Sequence, residues 1–78
     1  MAEFHIRGRV KREGPLRYVA MVIVVPSGLD DGAYAEMAQE SAATHQEAIE
    51  KLRAIAVRLG AKLRAAGNEV LAVELSEG

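Results

Sequence analysis

The sequence predicts an α+β domain in which one long helix packs on one face of a β-sheet. Three features support this prediction. Residues 4–12 and 17–25 read as two strands around a Gly-Pro turn, residues 44–66 read as a capped amphipathic helix, and residues 69–75 read as a closing strand. We therefore expect an N-terminal antiparallel β-hairpin, one long helix and a C-terminal strand that joins the sheet, all in a single domain over residues 1–78.

The first predicted strand alternates between apolar and polar side chains, as a strand with one buried face does. One side carries apolar or small residues: Phe4, Ile6, Gly8 and Val10. The other side carries His5, Arg7, Arg9 and Lys11. We expect the first side to face the helix and the second to face away from it.

The second predicted strand is rich in β-branched residues, which favour a pleated sheet. If residues 13–16 form the turn, Arg12 lies opposite Arg17. The apolar side of the first strand then meets the second strand in the pairs Phe4–Val25, Ile6–Ile23, Gly8–Met21 and Val10–Val19. In this register the residues that share a face with the cations are Tyr18, Ala20, Val22 and Val24.

That register leaves apolar side chains on both faces of the second strand. A strand that is apolar on both faces is normally covered on both, and one helix covers only one. We therefore predict a self-association surface at Tyr18, Val22 and Val24. The small core expected of a 78-residue chain also favours a homo-oligomer.

The segment between the hairpin and the long helix has two interpretations. Turn-forming residues at 26–28 and 30–32 predict a loop after the hairpin. In residues 33–43, Ala, Glu, Met and Gln favour a helix, and no β-branched residue occurs there. We prefer a short helix, with a third strand around residues 34–40 as the alternative.

The long helix has clear start and stop signals. Thr44 and Glu47 form a capping-box pattern, and Glu47 and Lys51 have the spacing of a surface ion pair. Gly67 can adopt the left-handed conformation that ends a helix. Apolar residues recur every three or four positions between these ends, at Ile49, Leu52, Ile55, Ala56, Leu59 and Leu63. Gly60 interrupts this pattern and is either tolerated or marks the close approach of another backbone.

The sequence contains no recognisable catalytic or metal-binding pattern. Cysteine is absent, which excludes disulfides and thiolate chemistry. The two histidines, His5 and His45, lie on different predicted elements without a third ligand nearby in sequence. Asp30 and Asp31 lack the ligand spacing of a calcium loop. We therefore expect no enzymatic activity and no cofactor.

The first residues do not resemble a signal peptide, and the longest apolar run is too short to span a bilayer. We expect a cytoplasmic protein without membrane contact. A protein partner is compatible with the same apolar surface.

The charge is unevenly distributed along the chain. Residues 1–26 carry five basic and two acidic side chains, for a net charge of +3, whereas residues 27–78 carry five basic and nine acidic ones, for a net charge of −4. This asymmetry predicts either head-to-tail self-contact or a local basic face. On such a face, Arg7, Arg9 and Lys11 would contact a phosphate backbone and Tyr18 would stack on a base. Nucleic-acid binding is therefore the alternative function.

A strand meander followed by Thr-x-x-Glu-Ala, at residues 44–48, resembles the HicB-type antitoxin domains and the arm-type DNA-binding domains of phage integrases. The resemblance covers less than half of the chain. The Pro-Glu-Leu-Pro-Gly-like segment of the HicB-type pattern is missing here, so we infer no family membership. The leading prediction is a small non-enzymatic interaction module that self-associates through the apolar part of its hairpin.

Overall fold

The computed structural model describes residues 2–28 and 34–77. They form β1 (Glu3–Gly14), β2 (Arg17–Pro26), β3 (Glu36–Ala42), α1 (His45–Ala65) and β4 (Glu69–Ser76). The four strands make one sheet in the order β3-β2-β1-β4, in which β4 is parallel to β1 and the other neighbours are antiparallel. The predicted α+β fold is confirmed. The predicted turn at Asp30, Asp31 and Gly32 lies outside the described residues.

Both predicted ends of the long helix are confirmed. The Glu47 backbone N–H donates to Thr44 Oγ1 at 3.1 Å, and Glu47 also pairs with Lys51 at 3.3 Å. At the other end, the Gly67 N–H donates to the Arg64 carbonyl and the Asn68 N–H to the Leu63 carbonyl, which is a Schellman motif. Gly67 has a φ of 86°, a conformation that suits glycine.

The core lies between α1 and the two central strands. Its buried apolar residues are Ile6, Ala20, Val22, Val24, Leu52, Ile55, Ala56 and Leu59. Half-buried residues complete it from the neighbouring elements: Phe4, Val10, Ala38, Leu63, Val70 and Leu75. No polar or charged residue is buried within the described chain. Burial of apolar surface is therefore the main source of stability.

The predicted pairing of β1 with β2 is wrong by one residue. Ile6 lies opposite Val24, and Gly8 lies opposite Val22. Because side chains alternate with a period of two, a shift of one residue exchanges the two faces of a strand. The helix therefore covers Tyr18, Ala20, Val22 and Val24, whereas the residues that share a face with the cations are Val19, Met21, Ile23 and Val25.

A β-bulge at Glu13 causes this difference. Pro15 and Leu16 form a tight turn, Gly14 pairs with Arg17, and Arg12 then pairs with Tyr18. The additional residue shifts the pairing beyond it by one position. With a four-residue turn and no bulge, the opposite face of β2 would pack against the helix.

The preferred helix within residues 33–43 is also wrong. Residues 36–42 form β3 and pair with β2 from Val24 to Tyr18, which corresponds to the alternative of a third strand. Their helix propensity amounts to a few tenths of a kcal/mol per residue. Pairing with the exposed edge of a long hairpin outweighs this preference, because each ladder bond satisfies a backbone group that the sheet would otherwise leave unpaired.

Gly8 determines how closely the helix approaches the sheet. A Cβ at this position would lie 2.9 Å from Leu52 Cδ1, 3.0 Å from Leu75 Cδ2 and 3.1 Å from Val22 Cγ2. Gly60 of α1 faces the Ile6 side chain, with 3.6 Å between its hypothetical Cβ and Ile6 Cδ1, rather than another backbone.

In residues 2–28 and 34–77, no helix is long and apolar enough to cross a membrane.

Candidate functional site

The sheet face opposite α1 is the candidate site, and we call it the open face. It carries the side chains of alternate residues from all four strands. These residues are Glu3, His5, Arg7, Arg9 and Lys11 of β1, Val19, Met21, Ile23 and Val25 of β2, Met37, Gln39 and Ser41 of β3, and Glu69, Ala72, Glu74 and Ser76 of β4. No element of the described chain covers this face, because α1 packs on the other one.

An apolar strip runs along β2 on the open face. It consists of Val19, Met21 and Ile23, together with Met37 of β3 next to Ile23. The β2 members are half-buried by their neighbours, and Met37 is 44% exposed. A depression of about 290 Å³ is lined by Met21, Ile23, Arg7, Gly8 and Arg9. The strip therefore presents apolar surface directly beside the cations of β1.

The charge on the open face changes sign along β1. At its start, Glu3 is the pairing neighbour of Glu69 on β4, which puts two acidic residues side by side. In the middle, Arg7 Nε lies 3.7 Å from Glu74 Oε2. Towards the hairpin turn, Arg9 and Lys11 make no ion pair with any described residue. The face thus has an acidic end and a basic end.

The structure separates the residues that we predicted for self-association from the open face. Val22 and Val24 are 0% exposed beneath α1, so neither can contact a second copy in the folded chain. Tyr18 also lies on the helix side, where its ring is 5.6 Å from the His45 ring and 6.0 Å from Arg12 Cζ. The bulge at Glu13 shifts the pairing of β1 with β2 by one residue and so places all three residues on the helix side of the sheet.

The predicted basic row is where the sequence placed it. Arg7, Arg9 and Lys11 all project from the open face of β1. The predicted stacking ring does not accompany them, because Tyr18 lies on the other side of the sheet. A nucleic-acid site on this face would therefore rely on cations and apolar contacts alone.

The residues that sequence reasoning missed are Met21, Ile23 and Met37. The signal for them was present, since β2 is apolar on both faces and either set could face outward. Among the described residues, no group of three His, Cys, Asp or Glu side chains could hold a metal ion.

Comparisons of the chain with protein-family models, with curated proteins and with solved structures found no match.

Proposed function

We propose that this chain is a small, non-enzymatic interaction module that self-associates through the open face of its hairpin. The observation that carries the proposal is the composition of β2. Its helix side holds Ala20, Val22 and Val24 at 0% exposure, and its open side holds the apolar strip. Covering this strip with a second copy removes apolar surface from water, which is the main driving force for association.

The charge pattern of β1 supports a second copy as the occupant. A two-fold axis can run parallel to the sheet, just above the open face, and cross the strands at the level of Arg7. Rotation by 180° about this axis lays β1 of the second copy antiparallel over β1 of the first. This rotation brings Lys11 of the second copy over Glu3, and Ile23 over its own counterpart. The Arg7–Glu74 pair lies at the level of the axis, so each of these residues faces its own counterpart and keeps the opposite charge beside it, with Arg7 Nε 3.7 Å from Glu74 Oε2.

The other simple arrangement is less favourable. An axis that runs along β2 would set the cations of β1 over β3 of the second copy. The open side of β3 carries Met37, Gln39 and Ser41, which provide no negative charge. Burying Lys11 there would leave it without the carboxylate that Glu3 provides in the first arrangement, which is costly.

Sedimentation of the purified chain at low-micromolar concentration tests the proposal. We expect an associated species for the wild type and a lower mass for Met21→Lys, because a lysine in the strip brings an unpaired charge into the interface. The matched control is Leu16→Lys, which changes a 79%-exposed residue of the hairpin turn and should keep the wild-type mass. A monomeric wild type, or equal masses for the two variants, would contradict the proposal.

Nucleic-acid binding is the second candidate function. It is favoured by Arg9 and Lys11, which find no ion-pair partner among the described residues. Binding of single- and double-stranded DNA and RNA, measured by fluorescence anisotropy, should weaken with salt. The double variant Arg9→Ala with Lys11→Ala should reduce the slope of log K against log salt concentration by the amount that corresponds to about two phosphate contacts. Absence of binding to all four probes at low salt would eliminate this candidate.

Docking of a protein partner and a cytoplasmic location belong to the same proposal. The apolar strip and the unpaired cations would also accept an acidic, apolar partner surface. If the purified chain associates in the absence of other proteins, self-association does not require a partner.

A further inference from the structure

A groove runs between α1 and β4, on the side of the molecule that β4 closes. We call it the edge groove, and its volume is about 400 Å³. It is lined by Arg53, Ala56, Val57, Gly60 and Arg64 of α1 and by Val73 and Leu75 of β4. Val73 is the pairing neighbour of Ile6, which faces the helix, so the groove is separate from the open face.

The floor and the rims of the groove are largely apolar. Ala56 and Gly60 are buried at its floor. Val57 of the helix is 72% exposed, and Val73 of the strand is 49% exposed. Neighbouring large apolar residues with such exposure are typical of an interaction site. The groove therefore offers apolar contacts to a segment that lies along β4.

Both charged residues that line the groove are arginines. Arg53 already holds a carboxylate, since its Nε and Nη2 lie 2.7 Å and 2.6 Å from Glu77 Oε2. Arg64 makes no ion pair with any described residue. Its guanidinium lies over Gly60, where an added Cβ would be 3.3 Å from Arg64 Nη1. The missing side chain at Gly60 therefore gives this cation its place in the groove.

The two edge strands of the sheet differ in how they are protected. At the β3 edge, Lys51 Nζ donates to the Ser41 carbonyl at 2.8 Å. Lys62 Nζ lies 2.9 Å from Glu36 Oε1 on the same strand. Lysines at an edge are a common protection against the addition of a further strand.

The β4 edge has no such protection within the described chain. β4 pairs with β1 on one side, and no described side chain forms a hydrogen bond with the backbone of residues 69–76. Its outer edge therefore presents backbone N–H and C=O groups beside the edge groove. This arrangement is suited to an added strand.

We propose that the edge groove binds an extended segment of an acidic protein partner, which joins the sheet as a strand beside β4. The backbone of the partner pairs with the β4 edge, and its apolar side chains cover Val57 and Val73. A carboxylate of the partner binds the Arg64 guanidinium. In this mode of recognition, backbone pairing gives affinity and side-chain contacts give specificity. The inference goes beyond self-association, because it concerns another surface and another partner.

Charge complementarity argues for an acidic segment and for the side on which it carries its acid. On the helix side, Arg64 can donate two N–H groups to one carboxylate, as Arg53 does to Glu77. On the open side, β4 carries Glu74, and a second carboxylate beside it would be destabilising. Side chains of a strand alternate between its faces. The fitting segment therefore has acidic and apolar residues at every second position, with neutral residues between them.

Fluorescence anisotropy with a labelled, capped peptide tests the inference on the full chain. The probe is Thr-Val-Thr-Glu-Thr-Val-Thr, in which the valines and the glutamate share one side of an extended strand. A comparison probe has glutamine in place of glutamate. We expect the glutamate peptide to bind about fivefold more tightly, which is the effect of one exposed charge pair. Absence of binding to the wild type would overturn the proposal.

Substitutions in α1 locate the binding site. Arg64→Gln should weaken binding of the glutamate peptide about fivefold and leave the glutamine peptide unchanged, because only the first loses an ion pair. The matched control is Arg58→Gln, which makes the same change at an exposed residue of α1 outside the groove and should bind as the wild type does. Equal effects of the two substitutions would contradict a specific contact with Arg64.

A charge on the rim should block the groove. Val57→Glu places a carboxylate beside the bound acid and should weaken binding of the glutamate peptide more than Arg64→Gln does. Val57 is 72% exposed, so this variant should fold, which circular dichroism can verify. If no peptide binds and Val57→Glu lowers the sedimentation mass of the wild-type assembly, a second copy occupies the groove and the proposed partner is wrong.

The outcomes distinguish this inference from the open-face proposal. Met21→Lys should bind the peptide with wild-type affinity, because Met21 lies on the other face of the sheet. A monomeric wild type that binds the peptide keeps this inference and overturns self-association. An associated wild type that does not bind it has the opposite meaning. Binding that Arg9→Ala abolishes and Arg64→Gln leaves unchanged would place the peptide on the open face and overturn the edge groove.

Methylation of the peptide backbone tests the addition of a strand. Successive residues of a strand direct their N–H groups to opposite edges. One probe is N-methylated at its valines and glutamate, and the other is N-methylated at its two internal threonines, so each blocks a different edge. We expect only one of the two to lose binding, because only the edge that faces β4 needs its donors. The same affinity for both methylated probes would contradict pairing with β4.

Discussion

Replacing Gly8 with alanine should destabilise the fold although alanine is normally the better residue in a strand. The added methyl would approach three side chains from three directions, at 2.9 Å from Leu52, 3.0 Å from Leu75 and 3.1 Å from Val22. Leu52 and Val22 are both 0% exposed, so neither can move outward into solvent. The methyl must therefore either shift α1 away from the sheet or force strained rotamers.

The expected cost follows from two opposing effects. Overpacking of a well-filled core costs about 1–3 kcal/mol. The loss of glycine flexibility in the unfolded chain returns about 0.4–1 kcal/mol. The net destabilisation is about 1–2 kcal/mol, which lowers Tm by roughly 5–15 °C in a domain of this size.

Thermal unfolding followed by circular dichroism at a fixed protein concentration measures this effect. Gly14→Ala is the matched control in the same strand, because the nearest atom to its added Cβ is Arg17 Cβ at 3.9 Å. The cost of Gly8→Ala should also fall in a Leu52→Ala background, where the closest obstructing atoms are gone. A Gly8→Ala variant that is as stable as Gly14→Ala would refute this account of helix–sheet packing.

Three further variants test other parts of the structure. Thr44→Ala removes the acceptor for the Glu47 N–H and should cost about 1 kcal/mol in urea unfolding. Gly67→Ala forces a Cβ into a φ of 86° and should cost about 1–2 kcal/mol in the same assay. Val22→Lys places a charge at a 0%-exposed position and should abolish the folded circular dichroism spectrum, whereas Met21→Lys on the neighbouring open face should retain it.

Most of the architecture could be predicted from local signals. Thr44 and Gly67 mark the two ends of α1 because each satisfies backbone groups that a helix end leaves unpaired. The alternation of residues 4–12 correctly assigns Ile6 to the core and Arg9 to the opposite face. These predictions hold because they depend on a residue and its near neighbours in sequence.

The third strand could not be predicted with confidence from its own residues. Residues 36–42 contain Ala, Glu, Met and Gln, which favour a helix in isolation. Their strand conformation depends on the unpaired edge of β2, which belongs to another part of the chain. Long-range pairing therefore overrides a weak local preference.

The sequence by itself determined the hairpin, the long helix and the closing strand, because apolar periodicity and capping residues specify these elements locally. Only the tertiary structure decided which side of β2 faces solvent. Both sides are apolar, so the alternation of side chains cannot by itself tell which side faces the helix. The pairing register with β1 decides this, and a single bulged residue, Glu13, sets that register. The helix then covers Val22 and Val24, and Met21 and Ile23 remain on the open face because no described element lies above them.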